Sequence, residues 1–335
     1  MDKASVRSPS TPLLEVEGLT VEFRSRHGAI TAVRDVSYSL GAGESLAILG
    51  ESGSGKTVSS RAILGLLPPS GRVVSGSVRF AGEGVELLPR RGAATRITGR
   101  EVAMVFQDAL TALNPVFSVG WQIAEVLRIH NGASRRQARR EAVETMQRVG
   151  IPDAARRFDA YPHEFSGGMR QRMMIAIALA LDPQVLIADE PTTALDVTVQ
   201  AQIMQLLEDL RAETGMALVL ITHDLGVVAD VADRVLVMYA GRVVESGSVG
   251  DVYGNPAHPY TDGLISSSPL VNERVERLVQ IPGAPPQPSA LPSGCPFHVR
   301  CPMVADQCRE ERPPLEPVGD GRSSACHFSW ELLNG

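Results

Sequence analysis

The chain has 335 residues, of which 44% are hydrophobic and 21% charged, enough apolar material for a large core and too little charge for bulk disorder. Its net charge of −6 and pI near 5.7 argue against a general nucleic-acid binder, which carries a basic domain or stripe. No apolar run approaches the roughly 18–20 residues needed to cross a bilayer. The opening "MDKASVRSPSTP" has no apolar centre and is not a secretory signal, so residues 1–12 are expected to be disordered and the protein cytoplasmic, with room for docking on a membrane.

Lys3 and Lys56 are the only lysines, against 30 arginines, so Lys56 stands out. It follows a short β-type run, Ser45 to Leu49, and precedes a helical stretch. Gly50, Gly53, Gly55, Lys56 and Thr57 fit G-x-x-x-x-G-K-[ST], with Ser52 and Ser54 between them. Glycines allow the tight turn that aims successive N–H groups at phosphates, and the following helix adds its positive end. Lys56 supplies a compact point charge, and the Thr57 hydroxyl can ligate Mg²⁺. A chance glycine-rich turn would not come with both a strand before and a helix after. This loop is expected to bind a nucleoside triphosphate.

Further on, the basic run Arg135 to Arg140 reads as a solvated helix face. Ser166, Gly167 and Gly168 then open a strongly apolar stretch with no proline before Pro183, a second helix start with free N–H groups and a hydroxyl. The two helix starts lie about 110 positions apart. One nucleotide has no evident need of both, whereas two chains arranged head to tail would each cover the other's γ-phosphate. An apolar strand, Val185 to Ala188, then ends in Asp189 and Glu190. A carboxylate there holds Mg²⁺ through water, and the next can polarise a water against the γ-phosphate.

In this order and spacing the motifs resemble the nucleotide-binding subunit of an ATP-binding-cassette (ABC) transporter, over roughly residues 13–250. The resemblance implies an α/β P-loop NTPase fold, a mixed sheet with a RecA-like core plus a helical subdomain at about 108–165. It makes Gly50–Thr57 the Walker A loop and "VLIADE" the Walker B strand, with Glu190 as catalytic base. "FSGGM" becomes the signature that contacts ATP on a partner subunit, and Asp196 the D-loop residue. Gln107 in "MVFQD" becomes the Q-loop residue, a Mg²⁺ ligand facing the membrane partner, and His223 in "LVLITHD" the switch histidine. Phe23 is the candidate aromatic for stacking on adenine. Taken singly, Gln107, His223 and Phe23 each have a plain reading as strand-end polar group, structural histidine and core residue.

A non-transport ABC ATPase is the alternative class. DNA-repair members split the cassette with long coiled coils, but only 58 residues separate Gln107 from Ser166. Ribosome-acting members usually hold two cassettes, and here there is one P-loop. "FQDALTALNPVFSVGWQIAE", "AYPHEFSGGMRQR" and "NPAHPYTDGL" resemble the ATP-binding subunits of oligopeptide/dipeptide permeases, a group that includes nickel and glutathione importers. That resemblance implies a second ATPase subunit, two membrane-spanning permease subunits, an extracytoplasmic binding protein, and a place on the cytoplasmic face of the cell membrane.

From about Asp251 the composition shifts, and "IPGAPPQPSALPSG" excludes regular helix or central strand. All four cysteines follow, Cys295, Cys301, Cys308 and Cys326, spaced C-x5-C-x6-C-x17-C. In a reducing compartment disulfides are disfavoured, and four thiolates in a loop-rich tail suggest a metal that substitutes for a core. Zinc would take four cysteines, or three with His298 or His327, although the close CxxC pairs of common zinc sites are absent. The permease resemblance of "CPFHVRCPMVADQC…ACH" points instead to a [4Fe–4S] cluster.

Overall fold

In the computed structural model, residues 12–26, 28–85, 97–193, 195–267 and 280–334 are described. The expected disordered stretch 1–12 lies outside them except for Pro12. In chain order the strands are β1 (Leu14–Ser25), β2 (Gly28–Leu40), β3 (Ser45–Leu49), β4 (Gly71–Phe80), β5 (Glu83–Val85) and β6 (Val102–Val105). They continue as β7 (Val185–Asp189), β8 (Ala217–Ile221), β9 (Arg234–Tyr239), β10 (Arg242–Ser248), β11 (Glu316–Gly319) and β12 (Arg322–Ser324). The helices are α1 (Lys56–Ile63), α2 (Ala109–Ala112), α3 (Val119–Asn131), α4 (Arg135–Arg148), α5 (Ala154–Arg157) and α6 (Gly167–Leu179). After them come α7 (Val197–Thr214), α8 (Leu225–Val231), α9 (Val249–Gly254), α10 (Pro259–Ser266), α11 (Asp306–Glu310) and α12 (Ser329–Asn334).

The strands form a four-stranded sheet, order β2-β1-β4-β5, and an eight-stranded sheet, order β11-β12-β10-β9-β3-β8-β7-β6. The first is antiparallel. In the second, the run from β9 to β6 is parallel and the edge from β10 outward antiparallel. The central strands β3, β6, β7 and β8 are buried at every position, and apolar except for Ser45 and Asp189 at strand ends, because both faces are covered. Leu46, Ile48, Val185, Ile187, Val219 and Ile221 pack toward the four-stranded sheet and α1. Their alternating neighbours Ala47, Leu49, Leu186, Ala188, Leu218 and Leu220 pack into a second core with α3, α4, α6 and α7. Side-chain caps start several helices: Ser134 for α4, Ser166 for α6, Asp196 for α7, Asp224 for α8 and Ser248 for α9.

Residues 281–294 contain neither helix nor strand, as their five prolines require. The chain beyond them rejoins the main sheet, where β12 pairs antiparallel with β10 through Glu245↔Ser324 and Ser246↔Ser323. Glu245 is fully buried, and its carboxylate accepts Arg322 Nη2 at 2.8 Å and the Ala257 N–H at 2.8 Å. Arg322 Nη2 also donates to the Asn255 carbonyl. A buried pair of this kind contributes little net stability, yet breaking it strands a charge. Arg322→Ala is expected to destabilise the chain by about 3–5 kcal/mol, read as a lower urea midpoint.

Candidate active site

The phosphate-type loop leaves β3 at Leu49 and enters α1 at Lys56. Gly50, Gly53 and Gly55 all have positive φ, at 145°, 80° and 102°. At Gly50 a Cβ would collide with the Met238 carbonyl oxygen of β9, and at Gly55 it would come within 2.8 Å of the Ala32 carbonyl of β2. Only glycine fits either place. Ser52 is exposed and Ser54 buried, its hydroxyl without a hydrogen-bond partner. Lys56 is 5% exposed, and its Nζ donates to the carbonyls of Gly50 at 2.6 Å and Glu51 at 3.0 Å. Burial pushes its pKa down, against the pull of Glu190, Asp189 and Glu51.

Thr57 Oγ1 donates to Asp189 Oδ1 at 2.8 Å, joining the start of α1 to the end of β7. Asp189 is fully buried, and its Oδ2 has no partner. Burial raises its carboxyl pKa, with the Thr57 hydrogen bond and Arg61 opposing. Thr57 and Asp189 thus set a hydroxyl beside a carboxylate with one spare buried oxygen, a donor set suited to a hard cation such as Mg²⁺.

Glu190 follows with φ of 45°, a left-handed conformation that costs a non-glycine residue about 1–2 kcal/mol. Its N–H is tied to the Ile221 carbonyl of β8 at 2.8 Å. The carboxylate accepts Gln107 Nε2 at 3.0 Å and Thr193 Oγ1 at 2.9 Å, while His223 Nδ1 stands 3.5 Å from Oε1. Three residues singled out in sequence, Gln107, Glu190 and His223, therefore meet in one place. Thr193 was not anticipated, although it lies only three residues past Glu190.

Ser166 caps α6 by accepting the Met169 N–H at 3.4 Å, and a Cβ on Gly168 would fall 2.5 Å from Val199 Cγ1 of α7. Asp196 caps α7 through the Val199 N–H at 3.0 Å. The start of α6 at Ser166–Gly168 and the start of α7 at Asp196 are thus neighbours. Among the described residues no hydrogen bond connects Ser166–Gly168 to Gly50–Thr57. Phe23 lies half-buried on β1, opposite Ile30 and Gly71, and packs against the core of the four-stranded sheet.

The four cysteines are free thiols and all line one small apolar void with His258, Phe297, His298 and His327. The Cys295 N–H donates to the Cys308 carbonyl at 2.8 Å, and the Phe328 N–H to Cys326 Sγ at 3.4 Å. Burial raises the Cys295 and Cys301 thiols and pushes Cys326 up to about 12. Both ring nitrogens of His327 are engaged, with Gln307 and the Glu311 carbonyl, and His298 Nδ1 meets the Cys295 carbonyl. Among the described residues, no three His, Cys, Asp or Glu side chains are arranged around a single metal ion. The thiols share a void without forming a single-ion cage.

A phosphate loop, a cation-type Thr–Asp pair and a carboxylate gathering glutamine and histidine from adjacent strands define an ATPase of the ATP-binding-cassette class. The ABC transporter family model matches residues 33–193, and the model of the oligopeptide/dipeptide transporter C-terminal region matches 244–308. The chain is 48% identical over 316 residues to the dipeptide transport ATP-binding protein DppD of Escherichia coli (strain K12), covering 94% of this chain and 96% of DppD. It is 50% identical over 325 residues to the oligopeptide transport ATP-binding protein OppD of Salmonella typhimurium, covering 97% and 96%. Among solved structures, cbiO1 of Clostridium perfringens superposes with a TM-score of 0.62 at 28% identity, over 73% of this chain and 92% of that one. MJ0796, described as a bacterial ABC transporter cassette, gives 0.63 at 29%, over 70% and 98%. The chain belongs to the family of ABC-transporter ATP-binding proteins.

The raised pKa of Asp189 means that the folded state holds this proton more tightly than the unfolded one, so ionising Asp189 costs stability, and the cost disappears as pH falls. Asp189→Asn is expected to raise the melting temperature of the nucleotide-free protein at neutral pH. The gain should shrink as pH falls toward the ordinary aspartate value of 3.8, as a melting series carried from neutral pH down to about pH 4 would show.

Proposed function

We propose that this chain is the ATP-hydrolysing subunit of an importer of dipeptides or oligopeptides, working on the cytoplasmic face of the cell membrane. The observation that carries the reading is the convergence of Gln107, Thr193 and His223 on Glu190, beside the Thr57–Asp189 pair. The names of DppD and OppD, each matched almost end to end, supply the substrate class. Among the described residues no helix is long and apolar enough to cross a membrane, which suits a peripheral subunit beneath two permease subunits. A second ATPase subunit and an extracytoplasmic binding protein complete the proposed complex. Residues 13–250 form the ATPase, 108–165 its permease-facing helical part, and 251–335 the cysteine-bearing region.

In this reading Gly50, Ser52, Gly53, Ser54 and Gly55 turn their N–H groups to the phosphates. Lys56 exchanges the Gly50 and Glu51 carbonyls for phosphate oxygens. Thr57 and Asp189, with Gln107, would hold Mg²⁺, which would supply positive charge to the phosphates. Glu190 takes a proton from the water that attacks the γ-phosphorus, the β–γ bridging bond breaks, and His223 steadies the departing phosphate. Phe23 receives adenine. Ser166, Gly167 and Gly168, with Asp196, close over ATP on the partner subunit, whose own signature covers this site.

We assign the four cysteines to a [4Fe–4S] cluster, with Zn²⁺ as the alternative. What supports this reading is that all four thiols line one common void. When bound, it would cross-link the tail. Cys295, Cys301, Cys308 and Cys326 would hold it in a site that the surrounding apolar residues shield from water.

Two measurements check these assignments. Glu190→Gln is expected to cut the ATPase rate by about 10²–10⁴-fold while ATP binding persists, whereas Lys56→Ala loses the binding itself. Anaerobically purified protein is expected to contain about four irons and four sulfides per chain. One zinc per chain would select the alternative.

A further inference from the structure

Glu51 stands inside the phosphate loop, directly after Gly50, where a carboxylate repels the triphosphate the loop is shaped to receive. Each of its polar groups is held. The N–H donates to the Tyr260 hydroxyl at 2.8 Å, and the carbonyl accepts Lys56 Nζ at 3.0 Å and the Ser54 N–H at 3.2 Å. The carboxylate takes Arg300 in a fork, Nη1 at 2.7 Å and Nη2 at 3.0 Å. Arg300 arrives from the tail, 249 positions along the chain, with its side chain 3% exposed. Its Nε donates to the Pro282 carbonyl at 2.9 Å, its N–H to the Phe297 carbonyl at 2.9 Å, and Nη1 reaches the Tyr239 hydroxyl at 3.4 Å. Tyr239, Tyr260 and Phe297 pack against one another around it.

We propose that Arg300 is a positioning residue of the ATP site: it neutralises Glu51 and fixes it, so that a loop containing a carboxylate can bind a triphosphate. A two-pronged guanidinium suits this because it is always charged and holds the carboxylate's direction as well as its charge. Four groups hold Glu51, and on the reading of Gly50–Thr57 as the ATP loop, ATP removes one of them by drawing Lys56 away to the phosphates. The Arg300 fork and Tyr260 then keep the loop in register. Arg300 directly precedes Cys301 and lies on the turn that starts at Cys295, so the same segment that carries two of the thiols supplies a charge to the ATP site. Loosening the cysteine region therefore weakens ATP binding from a distance.

The test measures the ATP dissociation constant of the full-length protein, using displacement of trinitrophenyl-ATP, for wild type, R300Q, E51Q, the double variant and K56A. R300Q is expected to weaken ATP binding about tenfold. The defect should shrink as salt rises from about 0.05 M to about 0.5 M, since the repulsion it exposes is screened. Removing the stranded charge as well, in E51Q/R300Q, should return the constant to within about twofold of wild type. R300Q within about twofold of wild type, or a double variant as weak as R300Q, would overturn the proposal. If R300Q does not fold, E51Q decides: ATP bound as tightly as by wild type or tighter supports charge compensation, and weaker binding overturns it. K56A separates the two levels, because undiminished ATP binding there would sink the reading of the loop itself, whatever Arg300 does.

Discussion

Everything at this site follows from bringing several strand ends to one anion. The strands β3, β8, β7 and β6 are adjacent and parallel, so their carboxyl ends open on the same side. In that order they deliver the glycine loop, His223, the Asp189–Glu190 pair and Gln107. The order is not that of the sequence: β8 is later than β7 in the chain yet lies between it and β3. That crossover places the His223 ring against Glu190 and leaves Thr57 in reach of Asp189. Parallel strands buried on both faces tolerate this only because nearly all their side chains are apolar, so the polar groups are confined to the strand ends.

Confinement has costs. Asp189 is ionisable, fully buried and half-unpartnered, and Glu190 adopts a left-handed backbone that its side chain disfavours. Both sit where the chain leaves β7, and both are held by groups from elsewhere: Thr57 from α1, the Ile221 carbonyl from β8, Gln107 from beyond β6. A left-handed backbone and a buried, unpartnered carboxylate oxygen on adjacent residues suit a site kept ready for a ligand.

The cysteine-bearing region is bound into the fold by one buried and one part-buried ion pair with different tasks. Arg322 and Glu245 seal β12 to the sheet, and Arg300 and Glu51 reach the phosphate loop. The compositional break near Asp251 is therefore no break in the hydrogen-bonded sheet, which runs on from β10 into β12.

Local sequence was sufficient wherever chemistry depends on near neighbours in the chain. The loop from Gly50 to Thr57 is legible because its glycines meet the positive φ of the turn itself, and Ser166 and Asp196 because a cap acts on the next turn. Buried strands announce themselves by unbroken apolar runs. Sequence could name Glu190 as the carboxylate after an apolar strand, but Gln107 and His223 only through the likeness of their motifs, since the meeting of the three depends on strand order, which periodicity does not encode. It gave no sign of Arg300, one arginine among 30, whose meaning lies in a carboxylate 249 positions away. Nor did it show that the cysteine region rejoins the main sheet, because two short strands, β11 and β12, carry too few residues for a pattern. What the chain states locally is geometry within a turn or a strand. Which distant charges end up face to face was decided by packing, because burial alone makes an unpaired charge expensive enough to choose its partner.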